Sequence, residues 1–151
     1  MEPGPGGPVR SEEQAVRVDS RTGIEIIDRA ECLRLLAGDS FGRLAIDEGG
    51  SPLILPVNYG VDGDRVVLRT AEGSKLDAVH RTVCFEVDDV DRRDHSGWSV
   101  VVRGRLEEVA PTDRERWERL GVLPEPWVHG PKDHLLVIVP ATISGRRLRP
   151  A

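Results

Sequence analysis

Glycine-bearing breaks between three aliphatic runs set the strongest constraint on how this chain folds. The runs Phe41 to Ile46, Leu53 to Val61 and Arg65 to Thr70 are parted by Glu48-Gly49-Gly50-Ser51 and Asp62-Gly63-Asp64. Breaks this short suit tight reversals, so the spacing predicts two successive β-hairpins. Later runs extend the pattern: Val83 to Val87, Trp98 to Val109 with Gly104 as a candidate bulge, Leu135 to Val139, and Ile143 to Leu148.

Helical patterns are confined to short stretches. Asp28-Arg29-Ala30-Glu31 reads as a capping box ahead of an apolar face at Cys32, Leu33, Leu35 and Leu36, which stops at Gly38. Ser74 to Arg81 predicts a second helix with Leu76 and Val79 inward, and Thr112-Asp113-Arg114-Glu115 predicts the cap of a third that runs through Leu120. Asp88 to Gly97 reads as a polar loop. Many short strands with few helices predict a mainly β, α+β fold: an antiparallel barrel with peripheral short helices, its sheet edges hidden by closure or by dimerisation.

With 151 residues the chain has room for one core. Residues 1 to 22, opening with Pro3, Gly4, Pro5, Gly6, Gly7 and Pro8, cannot bury enough surface to offset ordering, which predicts a disordered tail before a domain over 23 to 151. The 21 basic and 26 acidic residues leave a net charge of -5, which offers phosphate backbones and anionic membranes no general attraction. No run is apolar enough to span a bilayer and no charged-then-apolar leader opens the chain, so a cytoplasmic protein is expected.

Several suggestive residue types carry no motif. His80, His95, His129 and His134 lack the spacing of a metal site, and Ser99 lacks the setting of a nucleophile elbow. Asp88, Asp89, Asp91 and Asp94 lack the glycine and terminal glutamate of a calcium loop and read as solvated. Cys32 and Cys84, far apart in sequence, read as small apolar filler in a reducing compartment.

The segment Arg69-Thr70-Ala71-Glu72-Gly73-Ser74-Lys75 is the most informative. A strand ends, Gly73 frees a turn and a helix begins, so unpaired N–H groups, two cations and the hydroxyls of Thr70 and Ser74 can converge on one phosphate. The same residues also make a plain helix cap with solvated charges. The segment lacks the Walker spacing and the chain has no G-x-G-x-x-G turn, which disfavours nucleoside triphosphates and Rossmann-bound cofactors.

Taken with Phe41-Gly42-Arg43-Leu44-Ala45, Leu55-Pro56-Val57-Asn58-Tyr59 and Gly97-Trp98-Ser99-Val100-Val101-Val102-Arg103-Gly104, this segment resembles the pyridoxamine 5′-phosphate oxidase-like family of FMN-binding split barrels, especially its short actinobacterial-type members. The resemblance runs from about Ile26 to Leu148. It implies a homodimer with FMN as cofactor, the deazaflavin F420 being the alternative. It further implies a phosphate held by Arg69, Thr70, Ser74 and Lys75, a flavin ring along the backbone of Pro56, Val57, Asn58 and Tyr59, and Trp98, Ser99 and Val100 approaching the ring from the neighbouring subunit. No Arg-x-His pair follows Arg146-Arg147-Leu148, so vitamin B6 oxidation is not assigned. The implied activity is that of a flavin-dependent oxidoreductase or flavin reductase, against a non-catalytic or cofactor-free dimeric module. Trp98 and Trp127 either line a ring cleft or pack, Trp117 is expected to pack the third helix, and Arg146, Arg147 and Arg149 either reach a ligand or face solvent.

Overall fold

The computed structural model describes residues 16–70, 73–125 and 134–150. In chain order the elements are β1 (Arg17–Val18), β2 (Glu25–Ile27), α1 (Arg29–Ala37), β3 (Phe41–Glu48), β4 (Ser51–Asn58), β5 (Gly60–Asp62), β6 (Arg65–Thr70), α2 (Ser74–Asp77), β7 (Thr82–Asp91), β8 (Ser96–Glu108), α3 (Pro111–Leu120) and β9 (His134–Leu148). All pairings are antiparallel; the order is β1-β2-β9-β8-β7-β3-β4, with β6 on β9 and β5 on β6.

Side chains alternate as a half-covered sheet requires. In β8, Val100, Val102 and Leu106 are fully buried while Arg103 and Arg105 are exposed. Inward residues of β3, β4, β6, β7, β8 and β9 meet in one core, joined by Leu36 of α1. A sheet whose distant strands share a core is curled around it. Hydrogen bonding does not complete the circle, because β4 and β6 touch without a ladder. The chain itself bridges the gap: β4 pairs with β3 at one edge, and after Tyr59 the chain enters β5, which pairs with β6. The result is a split barrel.

Bending falls where Gly104 stands. Arg103 faces Thr142 but Gly104 faces Pro140, so the extra residue is Ala141 of β9. A Cβ at Gly104 would overlap the Val139 carbonyl oxygen, so only glycine admits this approach. Beyond the bend, β9 changes neighbours, pairing with β6 through His134–Ile138 and with β2 through Gly145–Arg147.

Several expected boundaries move. Residues 1–15 of the expected tail lie outside the described residues, but Arg17 and Val18 pair with Ile26 and Glu25 across a turn in which the Asp19 carboxylate accepts from the Arg21 N–H. The expected strand Leu53 to Val61 is two strands meeting at Tyr59. The expected loop Asp88 to Gly97 is mostly strand with a turn at residues 92–95, because Asp88 faces outward, Asp89 and Asp91 are exposed where β7 runs past the core, and Asp94 lies in the turn, so none opposes pairing. Leu135 to Leu148 lie in one bent strand. The second helix is a single turn, and the third starts at Pro111, whose missing N–H costs nothing there, without a side-chain cap from Thr112. Asp28 does cap α1, accepting from the Glu31 N–H at 2.8 Å.

Glu31 itself turns to arginines. Arg147 donates to Glu31 at 2.9 Å and to Glu25 at 3.4 Å, and Arg149 donates to Glu25 at 2.7 Å, tying β2 and α1 to β9. Hydrogen bonds from Arg34 first and Arg147 next lower the Glu31 carboxyl from 4.5 to about 2, and Arg149 chiefly lowers Glu25. A carboxylate depressed by folding stabilises the fold above its unfolded value and loses that contribution as pH falls through its folded value. Arg147→Met is therefore expected to lower the melting temperature at neutral pH, with the gap to wild type narrowing between pH 4.5 and about 2. Thermal melts across that window check it, and a gap that stays constant would contradict it.

Candidate functional site

The residues singled out from sequence fall into two regions. In the first, the end of β4 and the end of β6 face each other across the split. Continuing the β5–β6 register, in which Gly60 lies opposite Val67, puts Asn58 opposite Arg69. Pro56 is exposed, Val57 is buried in the core and Asn58 is half-buried, its Nδ2 donating to the Glu125 carbonyl at 2.8 Å. Tyr59 is buried edge-on to Phe85, with ring centroids 4.9 Å apart, and its hydroxyl donates to the Leu36 carbonyl at the end of α1. Burial first, and Asp39 next, pushes the phenol upward, so it stays a neutral donor. The side chains of Val57 and Tyr59 are thus committed to packing, and what this stretch offers a ligand is the backbone edge of β4.

At the end of β6, alternation sends neighbouring side chains opposite ways. Thr70 is buried on the face of Val66 and Leu68, which belong to the main core. Arg69 shares the other face with Val67, which packs with Leu135 and Trp117 beneath α3. The Nε of Arg69 is buried and has no hydrogen-bond partner among the described residues. A guanidinium left so carries an unmet demand for an acceptor, since an unsatisfied buried donor costs about 1–3 kcal/mol and more when charged. Lys75 is half-buried one turn further on, past Gly73 at φ 142°. With α2 only four residues long, the helix dipole expected from sequence shrinks to that of a single turn, and the charge here comes from side chains.

The second region holds Trp98, Ser99 and Val100 at the start of β8, separated from β4 in the sheet by β7 and β3. Val100 is fully buried against Ile27 and Cys32 beneath α1, so its side chain is closed to any ligand. Trp98 and Ser99 are half-buried and line a cleft of about 650 Å³. One chain therefore does not bring Trp98–Val100 to Arg69–Lys75. Sequence reasoning missed this cleft because two of its walls, Ile24 and Val90, stand in stretches read as tail boundary and loop. Trp127 and His129 lie outside the described residues. Among the described residues no cluster suits a metal ion; His80 is bonded to Glu107 and His134 to Glu108, at 2.8 and 2.9 Å. Trp117 is fully buried and donates its indole N–H to Asp62 of β5 at 2.8 Å, fixing α3 against the barrel.

A family profile described as pyridoxamine 5′-phosphate oxidase matches residues 28–147, from the cap of α1 to the end of β9. The chain belongs to that family. An uncharacterised protein of Mycobacterium tuberculosis is 37% identical over 129 residues, covering 81% of this chain and 84% of the relative. An FAD-binding protein of Mycobacterium smegmatis is 32% identical, with a TM-score of 0.62 over 83% of this chain and 99% of that one. An FAD-binding protein of Mesorhizobium loti, 24% identical, shares the fold with a TM-score of 0.68 over 83% of this chain and 99% of that one. Family membership and the split-barrel architecture thus agree with the resemblance drawn from the strand and turn motifs. Among the described residues no helix is long and apolar enough to cross a membrane.

The site's β4 wall is held in place by the segment that follows α3. Asn58 bonds Glu125, and Gly60 lies so close that an added Cβ would overlap the Val122 carbonyl oxygen. Gly60→Ala is expected to force the two backbones apart and to destabilise by about 1–3 kcal/mol, the usual cost of overpacking. Urea unfolding of the variant checks this, and wild-type stability would show that residues 121–125 are free to move aside.

Proposed function

We propose that this chain is a flavin-dependent oxidoreductase or flavin reductase that carries FMN and works as a homodimer in the cytoplasm. One observation carries the cofactor reading: the buried Nε of Arg69, without a partner among the described residues, beside the turn to Lys75, where a phosphate would supply an acceptor. The FAD bound by the Mycobacterium smegmatis relative supports a flavin, because FMN and FAD share the ring and the phosphate attached to its ribityl chain. Arg69, Lys75 and the turn through Ser74 would hold that phosphate, Thr70 would shape the turn from the core side, and the edge of β4 would run along the ring. The flavin supplies hydride and electron transfer; the protein orients it and excludes water. The free thiols of Cys32 and Cys84 fit a reducing compartment.

The second copy is needed because Trp98 and Ser99 lie across the sheet from β4. The outer sheet face supports a docking surface: Ile54 is 65% exposed and Val101 half-buried, with Arg43 bonded to Glu86 at 3.1 Å between them. Burial first, and the hydrogen bond to Asp88 next, raises the Glu86 carboxyl.

The joint substitution of Arg69→Ala and Lys75→Ala is expected to weaken flavin binding by about 1.5–3 kcal/mol per lost charge-assisted bond, read by titration of the apoprotein with FMN. Unchanged affinity removes the phosphate site. Mass spectrometry of ligand released on denaturation separates FMN from FAD and F420, and a colourless protein that ignores added flavin defeats the cofactor reading. Val101→Arg would bury an unpaired charge between copies and should abolish association and flavin retention together. Sizing and absorbance on one sample decide it, a monomer with stoichiometric flavin being the contrary result.

A further inference from the structure

The Asp62 carboxylate receives two donors from one helix. In β5 the side chain of Val61 turns into the main core, so Gly60 and Asp62 face the other way, toward α3. The Asp62 side chain is only 18% exposed, and it accepts from Arg116 at 2.6 Å and from the Trp117 indole N–H at 2.8 Å. Among the described residues of α3 only Trp117 is fully buried, while Thr112, Glu115, Glu118, Arg119 and Leu120 are exposed. The helix is therefore seated through one indole and one carboxylate.

That anchor reaches the neighbourhood of Arg69 by two routes. The first is packing. Trp117 is buried in one cluster with Val67 and Leu135, and these flank Arg69, the former two residues before it in β6 and the latter opposite it in β9. The second is the chain itself. The Trp117 carbonyl accepts from the Val122 N–H at 3.2 Å as Gly121 ends the helix at φ 68°. Val122 then lies against Gly60, and the Glu125 carbonyl takes the amide of Asn58, which the register sets opposite Arg69. One carboxylate thus fixes neighbours of Arg69 on β4, β6 and β9. Because β4 also has its ladder to β3, its backbone depends less on α3 than the face around Arg69 does.

We infer that Asp62 is a positioning residue: by seating α3 through Arg116 and Trp117, it holds the Arg69 guanidinium where a ligand phosphate can meet it. An anion is itself a poor phosphate contact, so the effect is exerted through the helix. The inference deepens the flavin reading and rests on it for the identity of the ligand.

Titration of the flavin-free full-length protein with FMN and with riboflavin, which lacks the phosphate, tests it. Wild type is expected to prefer FMN by about a hundredfold, as two charge-assisted bonds imply, and Asp62→Leu to cut that preference about tenfold. Asp62→Asn, which keeps an acceptor for the indole, should recover part of it. If Asp62→Leu does not fold, Trp117→Phe carries the same test, because it keeps a ring but loses the N–H; a cut of about threefold is expected and no cut overturns the inference. An unchanged preference in Asp62→Leu, or an equal loss of affinity for both ligands, overturns it while leaving the flavin reading intact. A wild type that binds both ligands alike, or neither, defeats the phosphate site instead. Hydrogen exchange without ligand then decides the role of Asp62: faster exchange in Asp62→Leu that reaches residues 58–60 and 67–70 upholds it, and a change confined to 111–122 overturns it.

Discussion

The absence of a side chain at Gly104 governs the architecture. Because β8 presents no Cβ there, β9 can press its Val139 carbonyl inward and gain the extra residue Ala141. That local bend lets one strand serve two partners on the same edge, β6 before it and β2 after it. The main core lies around the first half, and the smaller cluster of Ile27, Cys32 and Val100 lies around the second, under α1. Without the bend, a strand of this length would run straight past the barrel.

Much of this was legible because alternation leaves a trace in composition. Val100 and Val102 point inward and Arg103 outward, and the breaks at Gly49-Gly50 and Gly63 mark real reversals. Tyr59 shows the limit: periodicity reports which way a side chain points but not which strand lies alongside, so two strands with different partners read as one. The acids of β7 misled for a related reason, since Glu86 and Asp88, on the outward face beside Arg43, do not prevent a strand. Arg69 and Thr70 read as one cluster because they are adjacent in sequence, whereas the pleat sends them to opposite sides of β6.

Charge in this molecule is sorted by position. Arg147 and Arg149 are consumed in tethering β2 and α1, while Arg69 and Arg146 make no ion pair among the described residues. Three arginines of identical chemistry at the end of the chain thus divide between scaffold and surface, and only three-dimensional placement distinguishes them. The same division holds for polar side chains: the Tyr59 hydroxyl secures the end of α1, and the Trp117 indole secures α3.

The split between β4 and β6 leaves an edge strand, and open edges invite foreign strands to add on. Here β4 carries Pro52 and Pro56 at positions paired with Asp47 and Arg43. Two residues of like phase send their backbone nitrogens to the same side, and because β4 pairs with β3, the missing donors belong on the free edge. An intruding strand would find the Ile54 and Asn58 N–H groups but no donor at Pro52 or Pro56, a ladder broken at alternate positions. The opening is thereby protected from strand addition and aggregation while staying accessible to a molecule small enough to ignore the ladder.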